Sequence, residues 1–228
     1  MFFDSNYLLW VLIPSLILSF AAQMWVRSAY AKWGNTRNTL GLTGTQVAER
    51  IKSTAGLDNV GLEGTPGQLS DHFDPRDNVV RMSQDIASKP SVASMAIVAH
   101  ELGHAQQYQE QSPLISMRSF LIPAMQISPN VAYALIFAGI FFNLTGLLWV
   151  GIAFFSVTVV FMLLTLPVEF DASRRGLILL REAGLTSSAE DASGARQVLT
   201  AAAMTYVAAF VSSLLTLLYY LSIARRND

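Results

Sequence analysis

Long apolar stretches without any charged residue dominate the pattern along this chain. Residues 5–26, 119–168 and 197–224 contain no Asp, Glu, Lys or Arg. A helix needs roughly 20 mostly apolar residues to cross a bilayer. The first and last stretches therefore predict one membrane span each. The central stretch predicts two spans, joined by a turn at Asn143–Gly146. The alternative, a large soluble helical core, is disfavoured because soluble core helices seldom stay uncharged for so long.

This pattern predicts a mainly α membrane protein with four transmembrane helices. The predicted spans cover about 7–26, 120–142, 147–166 and 202–223. The stretches 27–118 and 167–196 are predicted to form juxtamembrane polar segments, and residues 1–228 are expected to form a single membrane-embedded domain. Pro123 and Pro129 are expected to kink the second span or to delay its start.

The first polar segment shows signals for a few small elements. Residues 45–55 are expected to form a short helix that ends at Gly56. Residues 57–83 are rich in Gly, Asp, Asn and Pro and contain short strand-like pieces, which predicts a small β-hairpin. A further helix is predicted over about 91–111.

Composition narrows the possible functions. Only 14% of the residues are charged, the net charge is −1, and the chain has no basic tract, which argues against a nucleic-acid partner. The chain has no cysteine, so any metal must be held by His, Asp or Glu. Met1–Asn6 carries an acid where a signal peptide has basic residues, so the first span is interpreted as a retained anchor.

The distribution of basic residues predicts an orientation in the membrane. Of the 15 Lys and Arg residues, 13 lie in the two polar segments, and only Arg225 and Arg226 lie beyond them. Because basic residues accumulate on the cytoplasmic side, the polar segments are predicted to face the cytoplasm and the termini the outside. We therefore expect a multi-pass protein of the cell membrane, in contact with the lipid bilayer.

The strongest chemical signal is the sequence HELGH at His100–His104. Two histidines four residues apart lie on one helix face, so both imidazoles can reach one metal ion. Zinc lowers the pKa of bound water toward about 7, and Glu101 beside the histidines can accept a proton from that water. The motif therefore predicts one catalytic Zn²⁺ on His100 and His104, with Glu101 as general base. The alternative is that the histidines only cap or pair on a polar helix face.

A catalytic zinc ion needs a third protein ligand. No further histidine follows the motif, so the third ligand must be a carboxylate or His72. Glu169 is favoured because it lies two residues past Pro167, where the third predicted span ends. The hairpin of the second and third spans returns the chain to the face that carries the histidines. The alternative is an ordinary boundary acid paired with Arg174 or Arg175.

Two further residues have candidate roles that spacing alone leaves open. Asp171 could accept a hydrogen bond from a zinc-bound histidine, as carboxylates commonly do, or it could pair with Arg175. His72 could donate to the oxyanion that forms during hydrolysis, could coordinate zinc in a resting state, or could be a surface histidine in a turn.

Three pieces of the sequence together indicate a family resemblance more specifically than the HExxH motif does alone. They are residues 69–76 (LSDHFDPR), 98–107 (VAHELGHAQQ) and 166–175 (LPVEFDASRR). They resemble the bacterial membrane-bound neutral zinc metallopeptidases, and the resemblance runs essentially end to end. That family is similar to the membrane gluzincins, which include prenyl-protein (CAAX-type) processing and heat-shock membrane proteases. The resemblance implies zinc at His100, His104 and Glu169. It also implies that Glu101 is the general base.

One departure from the gluzincins is visible. Their third-ligand motif places an Asp four residues after the ligand Glu. Here Asp171 lies at plus two and Ser173 at plus four. A role for Asp171 behind a zinc-bound histidine therefore does not follow from the resemblance.

The sequence thus predicts a zinc-dependent endopeptidase that cleaves membrane-associated proteins or peptides near the membrane surface. The alternative is a non-catalytic zinc-binding scaffold or chaperone. Such a site would close the fourth zinc position with a protein ligand and would have no use for Glu101. A transporter would need ionisable groups within its spans, and the predicted spans contain none.

Overall fold

The computed structural model describes residues 5–227, and within them it has the predicted mainly α architecture of a membrane protein. Four helical segments of this part of the chain are long and apolar enough to cross a bilayer: Ser5–Gly34, Pro113–Phe141, Thr145–Glu182 and Ala189–Arg226. A small three-stranded sheet accompanies them.

Eight α-helices and three strands are defined over the described residues. The helices are α1 (Ser5–Tyr7), α2 (Ile13–Gly34), α3 (Gly44–Ala55), α4 (Gln84–Ser88), α5 (Val92–Gln109), α6 (Pro113–Phe141), α7 (Thr145–Glu182) and α8 (Ala189–Asn227). A π-helical turn, Leu8–Leu12, joins α1 to α2. The strands are β1 (Gly61–Thr65), β2 (His72–Asp74) and β3 (Val79–Ser83).

The chain divides into two compact units. The first comprises Ser116–Pro167 together with the described parts of residues 1–23 and 204–228. Its packing is built from apolar side chains of α6, α7 and α8, among them Ala132, Ile136, Leu148, Phe155 and Tyr220. Its many exposed large apolar side chains suit a lipid environment, in which the backbone is satisfied within each helix.

The second unit comprises Met24–Ile115 and Val168–Ala203 and holds the polar segments. Its core gathers buried side chains from α3, α5, the C-terminal part of α7 and the start of α8, including Ile51, Met95, Leu102, Leu180 and Leu199. These apolar contacts hold α5 and α7 in place, and all candidate site residues lie in this unit.

Helix α3 shows how local sequence sets the element boundaries. The Thr43 hydroxyl accepts a hydrogen bond from Gln46 N–H at 3.3 Å, and the Gln46 side chain accepts one from Thr43 N–H at 2.9 Å. This capping box begins the helix. Gly56, at φ 67°, ends it in the left-handed conformation that favours glycine. The prediction of a helix over 45–55 is confirmed.

The predicted hairpin exists, but it belongs to a larger sheet. Strands β2 and β3 pair in antiparallel fashion, with Phe73 opposite Val80. Strand β1 pairs with β3 in parallel, an arrangement that the sequence analysis did not anticipate. The strand order β1-β3-β2 leaves β2 at an edge of the sheet.

The long helices extend further than the predicted spans. Helix α6 begins at Pro113 and includes both Pro123 and Pro129, so the prolines do not delay its start. Helix α7 continues through Pro167 to Glu182. Consequently a single helix connects the charge-free stretch to the segment that carries Glu169.

Candidate metal centre

Helix α5 carries the HELGH motif in the second unit. The Ser91 hydroxyl caps the helix by accepting a hydrogen bond from Ser94 N–H at 3.0 Å. One side of the helix is anchored in the core by Met95 and Leu102, both buried. The other side presents His100 and His104, whose ring centroids lie 4.8 Å apart. The spacing of four residues thus produces a pair of neighbouring imidazoles, as predicted.

Helix α7 brings Glu169 to this histidine pair. Glu169 Oε2 lies 3.4 Å from His100 Nε2 and 3.5 Å from His104 Nε2. The glutamate is only 3% exposed. Among the described residues, these three side chains are the group of potential metal ligands whose donor atoms all lie within 4.8 Å of one another. The expected proximity of Glu169 to both histidines is therefore present in the structure.

The geometry of this group fits a zinc ion. Zinc bonds of about 2.0–2.1 Å in a tetrahedral arrangement place neighbouring ligand atoms about 3.3–3.4 Å apart. The two distances between Glu169 Oε2 and the histidine nitrogens are of this size. Glu169 Oε2 is also buried and receives no hydrogen bond from any of the described residues. A buried carboxylate oxygen needs a positive partner, and a divalent cation supplies one.

Two glycines allow α5 and α7 to approach closely at the metal group, that is, the cluster of His100, His104 and Glu169. A Cβ atom on Gly103 would lie 2.5 Å from the carbonyl oxygen of Ala172. A Cβ atom on Gly176 would lie 2.9 Å from the carbonyl of Ala99 and 3.0 Å from the backbone nitrogen of His100. Both contacts are with backbone atoms, which cannot move aside as a flexible side chain can. The helix crossing that places Glu169 beside the histidines thus requires glycine at these positions.

We expect Gly176→Ala to weaken zinc binding and to reduce activity by on the order of 10²-fold, because a shift of about 1 Å in a catalytic group has that effect. The added methyl group must push α7 away from His100. Gly64→Ala is the matched control, since nothing lies within 4 Å of a Cβ atom there. Zinc affinity and activity of the two variants can be compared directly. Equal values for Gly176→Ala and wild type would show that the close crossing is not needed.

Glu101 lies beside the metal group and is held by the sheet. It is 8% exposed, and its Oε2 accepts a hydrogen bond from Phe73 N–H of strand β2 at 2.9 Å. Burial raises the pKa of the Glu101 carboxyl above its ordinary range, and the neighbouring His100 and His104 oppose this shift. A carboxylate with a raised pKa is a stronger base, which suits the predicted role of general base.

The Nδ1 atoms of the two histidines have different hydrogen-bond partners. His100 Nδ1 lies 3.2 Å from the Ser173 hydroxyl oxygen. His104 Nδ1 lies 3.0 Å from the side-chain carbonyl oxygen of Gln107. With these partners on Nδ1, the Nε2 atom of each ring faces Glu169. Ser173 thus contacts a histidine from the plus-four position at which the gluzincin motif has its Asp.

In the structure, one side chain lies between Asp171 and the histidines. Its carboxylate accepts hydrogen bonds from Gln107 Nε2 at 2.9 Å and from Arg175 Nε at 2.6 Å. Of the two alternatives, pairing with Arg175 is therefore present. Contact with a histidine is indirect, through Gln107. The role of Gln107 was not predicted from the sequence, although its position three residues after His104 places it on the same helix face.

His72 lies on strand β2, outside the three-residue metal group. It is exposed, and its Nδ1–H donates to the carbonyl oxygen of Ser70 at 2.8 Å. The next residue, Phe73, provides the N–H group that contacts Glu101. His72 is thus one residue away from a direct contact with the proposed general base, and its role in oxyanion stabilisation stays a prediction.

Two histidines four residues apart on one helix, with a carboxylate from a second helix, form the ligand pattern of a zinc metallopeptidase. The glutamate between the two histidines completes the HExxH motif of such enzymes. Residues 8–225 of the chain match the family described as "Putative neutral zinc metallopeptidase", and the chain belongs to that family. This match confirms the resemblance noted from the three sequence pieces.

A similar curated protein is the "Putative membrane protease YugP" of Bacillus subtilis (strain 168). It is 38% identical over 211 residues, which cover 92% of this chain and 93% of the relative. No solved structure shows a significant match to the chain. The name of the relative and the four apolar helices agree in indicating a multi-pass membrane protein.

Proposed function

We propose that this protein is a zinc-dependent endopeptidase that hydrolyses peptide bonds of membrane-associated proteins or peptides near the membrane surface. The observation that carries the proposal is the convergence of His100, His104 and Glu169, with the buried carboxylate of Glu101 beside them. Family membership supports the same activity.

Each residue of the centre has a defined task in this proposal. His100, His104 and Glu169 would hold the metal. When bound, zinc would act as a Lewis acid that activates a water molecule and polarises the scissile carbonyl. Glu101 accepts a proton from the attacking water and then delivers that proton to the leaving amine nitrogen. The hydrogen bond from Phe73 N–H holds the Glu101 carboxylate in position for both transfers.

An extended substrate suits the position of strand β2. This strand lies at an edge of the sheet, and its backbone already contacts Glu101 through Phe73. An edge strand can bind an extended peptide through backbone hydrogen bonds, since its outer side has no partner strand among residues 5–227. His72 on the same strand is our candidate donor to the oxyanion.

The position of Glu169 along the chain supports a site near the membrane surface. It is the first charged residue after the apolar stretch 119–168, and helix α7 contains both Glu169 and the last part of that stretch, residues 145–168. We propose that the site faces the cytoplasm, because the polar segments carry most of the basic residues. Physiological substrates would then be membrane proteins or peptides exposed on that side.

The alternative of a non-catalytic zinc scaffold has less support. A structural zinc site has four protein ligands, whereas the group formed by the described residues has three. A scaffold also gives no reason for a buried glutamate between the two histidine ligands. We therefore favour the enzyme.

Removing zinc should abolish proteolysis by the full-length protein in lipid nanodiscs. The probe is fluorescein-labelled casein, an unfolded protein, and zinc is removed with 1,10-phenanthroline. We expect cleavage to stop because the carbonyl and the water are no longer activated. After removal of the chelator, zinc should restore cleavage and magnesium should not. Cleavage that persists once metal analysis shows no zinc would contradict the proposal.

A further inference from the structure

Gln107 is a completely buried polar residue whose three side-chain contacts all lead to the metal centre. It is 0% exposed. Its Oε1 lies 3.0 Å from His104 Nδ1. Its Nε2 donates to the Val168 carbonyl oxygen and to Asp171 Oδ2, both at 2.9 Å. Burial without these partners would be unfavourable, so the contacts define one orientation of the side chain.

The surroundings allow the Gln107 amide to face only one way. Its NH₂ group lies between two groups, the Val168 carbonyl and the Asp171 carboxylate, that can only accept hydrogen bonds. Rotating the amide by 180° would place its oxygen against both of them. The Gln107 oxygen must therefore face His104, and since this oxygen can only accept, the hydrogen must sit on His104 Nδ1. The lone pair of Nε2 is then directed toward the metal position.

Asp171 is itself held by two arginines, of which Arg174 donates from Nη2 to Asp171 Oδ1 at 3.2 Å. Arg175 Nε donates to Asp171 Oδ2 at 2.6 Å. The same guanidinium group also contacts Gln106 Oε1 in α5 at 3.2 Å. It contacts Glu110 Oε2, directly after the end of α5, at 2.7 Å. The chain of contacts from Arg175 through Asp171 to Gln107 thus connects α7 to α5 on the side of His104.

The hydrogen-bond partner of His100 does not determine the tautomer of that histidine. The Ser173 hydroxyl lies 3.2 Å from His100 Nδ1 and can rotate to donate or to accept. It can therefore accompany either tautomer of His100. The two zinc-ligand histidines thus differ, since only His104 has a partner that dictates where its hydrogen lies.

We propose that Gln107 is a positioning residue that fixes the tautomer and the direction of His104 for metal binding, with Asp171 and Arg175 holding Gln107 in place. This inference rests on the proposed zinc site, but it does not depend on peptidase activity. Such supporting residues typically contribute 10–100-fold to metal affinity, which sets the size of the expected effect at about that range.

The test is the zinc affinity of full-length Gln107→Met in nanodiscs, measured by competition with a chromophoric chelator. Methionine has a similar length and keeps the space filled, but it has no strong acceptor for His104 Nδ1. We expect affinity to fall by about 10–100-fold. Ser173→Ala is the matched control and should lose less affinity than Gln107→Met. Equal zinc affinity of Gln107→Met and wild type would overturn the inference.

A second measurement needs only the wild-type protein, so it decides the question even if Gln107→Met fails to fold. In ¹⁵N-labelled, zinc-saturated wild type both histidines carry a hydrogen on Nδ1, and NMR should show that the hydrogen on His104 Nδ1 exchanges more slowly than the one on His100 Nδ1, because the Gln107 oxygen is a fixed acceptor. A hydrogen on His104 Nδ1 that exchanges as fast as the one on His100 Nδ1 would overturn the inference while leaving the zinc site intact. Failure of the wild type to bind zinc would instead overturn the proposed metal centre, and this inference with it.

Discussion

Glu101→Gln should abolish hydrolysis while leaving zinc bound. The amide has nearly the shape of the carboxylate, but it cannot accept a proton from the attacking water. Loss of general acid–base catalysis typically costs about 10²–10⁴-fold in rate, so cleavage of labelled casein should fall to near background. The zinc content should stay unchanged, because Glu101 is not one of the three residues in the metal group.

The comparison needs a variant with the same chemical change elsewhere. Glu49→Gln serves this purpose, because Glu49 is exposed on α3 and pairs only with Lys52 at 3.5 Å among the ion pairs of the described residues. It should retain wild-type cleavage. In cells, fragments of membrane proteins that appear with wild type and disappear with Glu101→Gln would identify the substrates. Normal hydrolysis by the Glu101→Gln protein would refute the proposed mechanism.

Glu169→Gln should remove zinc from the protein. Glutamine is neutral, so two imidazoles would remain to bind the ion without a charged ligand. We expect the loss in zinc affinity to exceed the roughly 10–100-fold typical of residues that only support a ligand. Equilibrium dialysis against buffered zinc measures this loss directly, and casein cleavage should disappear with it.

Glu182→Gln provides the control on the same helix, since Glu182 is exposed at the end of α7. Zinc binding by this variant should equal that of wild type. If Glu169→Gln bound zinc as tightly as the control, Glu169 would be an ordinary boundary acid. The third ligand would then have to be sought among other residues.

The membrane spans and the metal group could be predicted because strong physical constraints leave clear traces in the sequence. A bilayer excludes charged residues over whole helices, which made stretches such as 119–168 recognisable. Two histidines four residues apart must share a helix face. Glu169 followed from topology, since a hairpin of two spans returns the chain to the same side.

The partners of the histidines could not be predicted in the same way. They depend on the angle and distance at which α5 crosses α7, which sequence spacing does not determine. Gly103 and Gly176 are the local cause of that close approach, but a glycine in a helix has several possible explanations. The crossing places Ser173 on His100 and Gln107 between His104 and Asp171. Strand β1 was missed because its two glycines, Gly61 and Gly64, weaken the strand signal.

The proposed function depends on one zinc ion bound by His100, His104 and Glu169, with one position left for water. Zinc K-edge X-ray absorption on the wild-type protein, purified under metal-replete conditions, tests it most directly. We expect one zinc ion per chain with two imidazole nitrogens and two oxygens at about 2.0–2.2 Å, and a changed spectrum in Glu169→Gln. Wild-type protein without zinc, or a coordination spectrum that Glu169→Gln leaves unaltered, would contradict it.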